Sequence, residues 1–246
     1  QYVDVACGTS LRELYDTLGI SLPFPVLAAR VNDKVQSLNF VLYKPKDIEF
    51  IDGSSESGRR CYIRSLSMLT ACAVSELWPG CDLRLEHPIS NGFYCTMRDA
   101  EGKVLPFTNE MVVALKQRMD AIVKQDRPIL TEERQTKEVI RLFSGRTAGE
   151  VTLFETLGNP YCRYYRMGDY IDYYTGALVP SSGCLTVYDV VSYHDNLLLR
   201  IPSRENPEVL APMCVEDKRF GIFQEYVGWN KLLHISNVGE FNSACK

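Results

Sequence analysis

Residues 58–94 constrain the fold more than any other stretch of this 246-residue chain. Apolar residues recur there at steps of three and four, which places them on one face of a helix. They are Tyr62, Leu66, Leu69, Ala73, Leu77 and Trp78. Pro79-Gly80 then ends the helix, because proline lacks an amide donor and glycine tolerates the backbone angles of a turn. The sequence therefore predicts a buried helix over residues 58–77.

A β-hairpin is predicted directly after this helix. Leu83 and Leu85 alternate with polar residues, as expected for a half-buried strand. The Ser90-Asn91-Gly92 sequence has the composition of a tight hairpin turn, and the second strand begins with Phe93 and Tyr94. A buried helix that leads into a hairpin predicts the centre of a domain.

Length and composition limit the class of protein. The chain is long enough for one large domain or two modest ones. No apolar run reaches the roughly 18 to 20 residues that cross a bilayer, and the first residues show no signal peptide pattern. The nine cysteines include no CxxC pair, which favours reduced thiols. We therefore expect a cytoplasmic protein without a membrane partner. A net charge of −4 argues against a general polyanion binder but leaves room for a local basic surface.

Residues 1–53 predict a small α+β unit. Ser10 and Glu13 form a capping box that opens a helix, and Gly19 closes it. Asn32-Asp33 is a tight turn between two strands. The predicted strands cover residues 2–6, 25–31, 34–38 and 47–52. This succession indicates a β-grasp unit, and residues 53–58 have the composition of a flexible linker.

The rest of the chain alternates helices and strands. Thr108 is expected to cap a helix, and the strand-like and helical segments that follow come before short, Tyr-rich strands from Gly149 onward. The predicted segments are a helix over 109–125, a strand over 128–133, a helix over 135–143, a strand over 197–201 and a helix over 218–233. Residues 206–246 are expected to form a helical connection to a further domain.

Two motifs behind the long helix carry a resemblance to a known family. LWP, from Leu77, and NGFY, from Asn91, resemble the editing domain of threonyl-tRNA synthetase at this separation. The resemblance implies an α+β editing-like domain over residues 58–205. PVLAARVNDKV, from Pro25, is similar to part of the TGS domain, which precedes the editing domain in those synthetases. It implies that residues 1–53 are a TGS-like β-grasp domain.

In that family an HxxxH motif on the helix and a later CxxxH motif form the pocket that hydrolyses mischarged seryl-tRNA. Aligned on LWP and on the later YVDxCxGPHVP motif, these four positions fall on Arg64, Met68, Tyr174 and Leu178. Arginine is a permanent cation, and methionine and leucine offer no hard metal ligand. We therefore expect no catalytic residue and no bound metal, although Arg64 can attract an anion such as a phosphate. The candidate cleft residues are Arg64, Met68, Asn91, Tyr94, Glu150, Asp172, Tyr174 and Leu178.

The order of units also resembles a bacterial uridine kinase-like (nucleoside kinase) family, in which a P-loop kinase domain follows. No GxxxxGK[ST] motif occurs here. The resemblance implies that the chain continues past Lys246 into a kinase domain, which would hold ATP and Mg²⁺ and be the partner of this fragment. The fragment itself is then expected to need no cofactor and to act in recognition or regulation without catalysis.

Two other functions stay open. One is an RNA-binding or tRNA-binding module, and the other is an aminoacyl-tRNA deacylase with rearranged groups. Six tyrosines lie between Tyr161 and Tyr174, interleaved with Arg163 and Arg166. Such a cluster can stack bases and hold phosphates, but tyrosine is also common in half-buried strands, which is the interpretation we prefer. A salt-dependent tRNA binding assay separates the first alternative, and incubation with seryl-tRNA separates the second.

Overall fold

A computed structural model describes residues 2–144, 148–214, 218, 220–222 and 225. Within them the α-helices are α1 (Leu11–Leu18), α2 (Glu56–Leu77), α3 (Asn109–Lys124), α4 (Thr136–Phe143) and α5 (Ala148–Leu157). The strands are β1 (Val26–Val31), β2 (Lys34–Ser37), β3 (Ile48–Asp52), β4 (Asp82–Ile89), β5 (Gly92–Arg98), β6 (Val104–Leu105), β7 (Ile129–Gln135), β8 (Tyr161–Met167), β9 (Tyr170–Asp172), β10 (Asp189–Tyr193) and β11 (Asn196–Arg200). They pair into three antiparallel sheets, so the predicted α+β class is confirmed.

The first sheet has the order β2-β1-β3 and packs on α1. The capping box is confirmed: the Glu13 amide donates to Ser10 Oγ at 3.2 Å, and the Ser10 amide donates to Glu13 Oε2 at 2.8 Å. Gly19 ends the helix with a left-handed backbone, at φ 57°. Asn32 and Asp33 have φ angles of 43° and 67°, as the predicted tight turn requires.

The predicted strand over residues 2–6 is wrong. These residues are exposed, and among the described strands no ladder pairs with them. Alternating residues form a strand only where a partner accepts their backbone hydrogen bonds and covers their apolar face. Among the described strands, neither β2 nor β3 pairs with residues 2–6 at its outer edge.

Helix α2 begins earlier than predicted, inside the stretch that was expected to be a flexible linker. Ser55 caps it, since its Oγ accepts from the Gly58 amide at 3.0 Å. Glycine is needed at position 58 because a Cβ atom there would overlap the carbonyl oxygen of Asp52. Gly58 therefore lets α2 approach the end of β3 closely, and it is part of the helix and not of a flexible linker.

The helix is buried on all sides along its centre. Every residue from Ser65 to Val74 is buried. Helix α3 and strands β4, β5 and β11 contribute side chains to the same core cluster. Burial of apolar side chains around α2 is thus the main source of hydrophobic stabilisation in this part of the fold.

The second sheet has the order β10-β11-β5-β4, with β6 added to β5. Its hairpin was predicted correctly, but the turn consists of Ser90 and Asn91, with φ angles of 51° and 56°. Gly92 lies in β5 instead. A Cβ atom there would lie 2.5 Å from the carbonyl oxygen of Leu199 on the neighbouring strand.

The third sheet has the order β7-β8-β9 and contains most of the tyrosine cluster. Helices α4 and α5 pack against it. The expected short, Tyr-rich strands occur as β8 and β9, but they begin at Tyr161 and not at Gly149, because Ala148–Leu157 form α5. Phe154 of this helix is fully buried, with its ring 5.2 Å from that of Phe143. Helix α5 packs against α4, and the sequence of α5 alone does not reveal this contact.

The predicted helix over residues 218–233 lies largely outside the described residues, where only 218, 220–222 and 225 are described, as helical. Residues 202–211 run back along the second sheet, and the Ala211 amide donates to the Ile201 carbonyl at 3.0 Å. None of the described helices is long and apolar enough to cross a membrane.

Candidate anion site around Arg64

The Arg64 side chain extends from α2 to the segment that follows β9. Its guanidinium is half-buried and lies directly against the backbone of Gly176, because a Cβ atom at residue 176 would be 2.5 Å from Arg64 Cζ. The Tyr165 hydroxyl donates to the Gly176 carbonyl at 2.8 Å. Gly176 therefore provides the space for the guanidinium, and Tyr165 holds the peptide beneath it.

No acidic side chain compensates this charge in the part of the chain that the structure describes. Arg64 forms no ion pair and donates no hydrogen bond to any described residue. This separates it from other arginines of the molecule, such as Arg127, which pairs with Glu76 at 2.5 Å. A half-buried cation without a partner is a natural position for an oxyanion.

The nearest carboxylate on the adjoining strand already has its own donors. Asp172 Oδ2 accepts from the hydroxyls of Tyr174, at 2.9 Å, and Tyr170, at 3.1 Å. Its Oδ1 accepts from the Tyr173 amide at 2.7 Å. The Tyr174 ring also meets the ring of Tyr165 edge to face, with centroids 6.3 Å apart. The Asp172 carboxylate is thus engaged by Tyr170, Tyr173 and Tyr174, and it forms no ion pair with Arg64.

The other two positions that the resemblance assigned are apolar and inaccessible. Met68 and Leu178 are fully buried and belong to the same core cluster. One turn before Met68, Ser65 joins the two segments: its Oγ accepts from the Val179 amide at 2.9 Å and donates to the Cys61 carbonyl at 2.7 Å. The structure therefore brings α2 and residues 174–179 together, as the family pattern implies, with apolar side chains at two of the four positions.

The Cys61 thiol lies on the same helix. Burial raises its pKa to about 12, and the neighbouring Arg64 charge opposes that rise only in part. Thiolates, and not thiols, are the reactive form of cysteine. Cys61 is therefore a protonated, unreactive group at neutral pH.

Asn91 and Tyr94 lie elsewhere. Asn91 Nδ2 donates to the Pro212 carbonyl at 3.0 Å, and the Tyr94 hydroxyl accepts from Asn196 Nδ2 at 2.8 Å. Tyr94 belongs to a separate apolar cluster, whereas its strand neighbours Phe93 and Cys95 contact the core around α2. Tyr94 thus lies on the face of the second sheet that points away from α2, and a binding role for Asn91 and Tyr94 stays a prediction.

Two other expectations concern groups that the structure does not test. Glu150 lies in α5, but its side chain is outside the described residues. Across the described ranges, no group of three or more His, Cys, Asp and Glu side chains is placed to hold a metal ion. The expectation of no cofactor, and of ATP and Mg²⁺ in a domain beyond Lys246, stays a prediction.

Sequence reasoning did not identify Gly176 and Tyr165 as parts of the site. Gly176 is the one glycine between the matched positions 174 and 178, and this is a signal that could have indicated a close approach. Tyr165 was noted only as a member of the tyrosine cluster. Its role depends on the pairing of β8 with β9, which places it opposite Asp172.

Comparison with known proteins now bears on the site. No family model matches the chain. Its homologues are threonine–tRNA ligases. That of Marinobacter nauticus is 31% identical over 175 residues, covering 70% of this chain and 26% of the ligase. Those of Syntrophomonas wolfei and Rubrobacter xylanophilus are 29% and 26% identical, covering 75% and 77% of this chain and 29% of each ligase.

The chain thus spans between 26% and 29% of the length of these ligases. The similarity supports the threonyl-tRNA synthetase editing-like region that the LWP and NGFY motifs predicted. It lends no support to a TGS domain or to a uridine kinase parent, and a kinase domain as partner is likewise unsupported. The division into residues 1–53, 58–205 and 206–246 stays a prediction.

Proposed function

We propose that this chain is an editing-like recognition region that binds a tRNA-like RNA through a phosphate at Arg64 and hydrolyses no aminoacyl ester. The observation that carries the proposal is the half-buried Arg64 guanidinium, which has no acidic partner within the described residues. The similarity to threonine–tRNA ligases makes RNA the favoured source of the phosphate. A recognition role is also what the sequence predicted for this region.

The chemistry of arginine suits this role. The guanidinium is planar and can donate two parallel hydrogen bonds to a phosphate. Because Arg64 rests on the Gly176 backbone, its position is set before a ligand arrives. Little side-chain entropy is then lost on binding. The half-buried Tyr174, two residues before Gly176, adds an aromatic ring of the kind that contacts unstacked nucleotides.

The absence of hydrolysis follows from the side chains at the four positions that match the family motifs. Ester hydrolysis needs a placed general base or a metal-bound water. Met68 is a buried thioether and Leu178 a buried hydrocarbon, so neither can act as a general base. The Tyr174 hydroxyl already donates a hydrogen bond to Asp172. The Cys61 thiol, with its pKa raised to about 12, supplies no nucleophile.

The proposal is tested by fluorescence anisotropy with a labelled bacterial threonine tRNA over a salt series. Replacing Arg64 by alanine should weaken binding about tenfold, the size of one lost charge-assisted hydrogen-bond pair. The slope of log K against log salt should also fall by about 0.7 to 0.9, as for one lost phosphate contact. Gly176→Ala keeps the charge but displaces the guanidinium, so it should weaken binding in the same direction.

Arg60→Ala is the matched control. Arg60 lies on the same helix, is exposed and pairs with Glu56 at 3.0 Å, so its removal should leave tRNA affinity unchanged. Equal affinity of wild type and Arg64→Ala would contradict the phosphate site. Seryl-tRNA hydrolysis above background by the wild type, abolished in Arg64→Ala, would contradict the non-hydrolytic role.

A further inference from the structure

A second site lies on another side of α2. A partly open cavity of about 260 Å³ lies where four parts of the chain meet: strand β1 with the residues before it, the start of α2, residues 184–187 and residues 202–208. Arg64 does not line this cavity. The site is therefore separate from the one proposed above, and nothing in that proposal depends on it.

The walls are largely apolar. Phe24, Leu27 and Pro202 contribute hydrocarbon surface, and the ring of Tyr62 forms part of the wall on α2. The Tyr62 hydroxyl is already engaged, since it accepts from the Val187 amide at 2.8 Å and donates to the Val187 carbonyl at 3.2 Å. Burial raises the pKa of Tyr62 to about 12, so its ring and hydroxyl remain neutral at neutral pH.

The exception in this wall is Arg59. Its Nε is fully buried and has no hydrogen-bond acceptor. The side chain forms no ion pair with a described residue, although Glu208 also lines the cavity. A buried donor without an acceptor costs about 1 to 3 kcal/mol, and more when the group is charged. An anion that pairs with the Arg59 guanidinium from the cavity would offset the cost of burying this charge.

Charges of both signs surround Arg59, because Glu208 shares the cavity wall with it. Burial lowers the pKa of Arg59, and the nearby Arg204 lowers it further. Glu56 opposes them, but its carboxylate is held by Arg60 at 3.0 Å and lies 3.9 Å from Arg204. Arg59 is also in the first turn of α2, where the helix dipole favours an anion.

We propose that this cavity binds a small organic anion whose carboxylate or phosphate pairs with Arg59 and whose single ring fills the apolar part. Size sets the ring count. An apolar cavity of about 150 Å³ accepts benzene, so 260 Å³ accommodates one ring with an anionic substituent. Typical drug-sized ligands occupy pockets of about 300 to 1,000 Å³, so a ligand with a single ring matches this volume better than a larger one.

The experiment is a protein-observed NMR titration with benzoate and with phenyl phosphate, and with benzyl alcohol as the neutral counterpart. Both anions should give saturable chemical-shift changes at residues that line the cavity. Benzyl alcohol should bind at least about tenfold more weakly than the anions. Arg59→Gln should weaken the binding of both anions about tenfold and leave the affinity for benzyl alcohol unchanged. Arg163→Gln, which removes an exposed arginine on β8 that does not line the cavity, should change neither affinity. Preference for one anion over the other identifies carboxylate or phosphate as the favoured head group.

If Arg59→Gln fails to fold, as judged by its circular dichroism spectrum, Ile63→Phe replaces it. Ile63 lines the cavity from α2, so added volume should weaken both anions about tenfold while Arg59 stays in place. Three results would overturn the proposal: no saturable shift with either anion, equal affinity for benzyl alcohol and benzoate, or affinity unchanged in both variants. Each of these leaves the Arg64 site untouched, because tRNA binding is measured independently.

Discussion

Replacing Gly58 by alanine is a sharp test of how α2 is joined to the first sheet. A Cβ atom at this position would overlap the carbonyl oxygen of Asp52, lie 2.8 Å from its carbonyl carbon and lie 3.1 Å from Ile51 Cγ2. The first two obstacles are backbone atoms at the end of β3, which a side-chain rotation cannot move. The helix and the strand would have to separate.

Two effects of opposite sign decide the magnitude. Alanine is the better helix former, by about 0.5 to 1 kcal/mol. Forcing extra volume into a packed site typically costs about 1 to 3 kcal/mol, and more where backbone must shift. Because Gly58 is buried against backbone on its crowded side, we expect the second effect to dominate. The expected net loss is about 2 kcal/mol, or a melting temperature lower by about 4 to 8 °C for a chain of this size.

The measurement is urea denaturation followed by circular dichroism at 222 nm, comparing the unfolding midpoint of each protein. Ser57→Ala is the matched control, since Ser57 lies in the same helical turn, is half-buried, and has a side chain that makes no hydrogen bond with a described residue. It should keep or slightly raise the midpoint. A Gly58→Ala protein as stable as Ser57→Ala would refute the close approach of α2 to β3.

Three further predictions concern stability. Leu66→Ala removes a fully buried side chain of α2 and should cost about 2 to 5 kcal/mol in the same urea assay. The hydrogen bonds from Arg166 and Tyr164 lower the pKa of Glu132 to about 2 from an ordinary value of 4.5, so its stabilising effect is present above pH 4.5 and is lost as the pH falls towards 2. Wild type should therefore lose stability more steeply than Glu132→Gln across that pH range. Asn39 Nδ2 donates to the carbonyls of Ile129 and Pro180 at 3.2 and 3.1 Å, linking the first sheet to the rest of the chain, so Asn39→Ala should lower the free energy of unfolding by about 1 kcal/mol.

Local signals in the sequence were sufficient for features that involve neighbouring residues. The capping box at Ser10, the cap at Thr108 and the tight turn at Asn32-Asp33 were all predicted, and all three occur. In each case the interacting groups lie within about four residues, so the stabilising contact is encoded where it acts. The long apolar helix was predicted for a similar reason, because its periodic side chains require burial whatever surrounds them.

Features that depend on distant partners were missed. The sequence around Gly58 has the composition of a linker, and only the structure shows that the Asp52 carbonyl lies beside Gly58. The sequence of α5 has no clear helical pattern, and the helix is stabilised by the packing of Phe154 on Phe143. The expected strand over residues 2–6 failed for the converse reason, since no partner strand is available. Long-range contacts outweigh local propensity at such positions.

The candidate site shows the same division. By itself the sequence determined that the four matched positions hold an arginine, a methionine, a tyrosine and a leucine, and hence which chemistry they can supply. Tertiary structure decided that the Arg64 guanidinium rests on Gly176, because only the packing of α2 against residues 174–179 brings those atoms together. It also decided that Tyr94 faces away from Arg64. Alternation along β5 separates Tyr94 from Phe93, but the position of α2 selects which face of the sheet is covered.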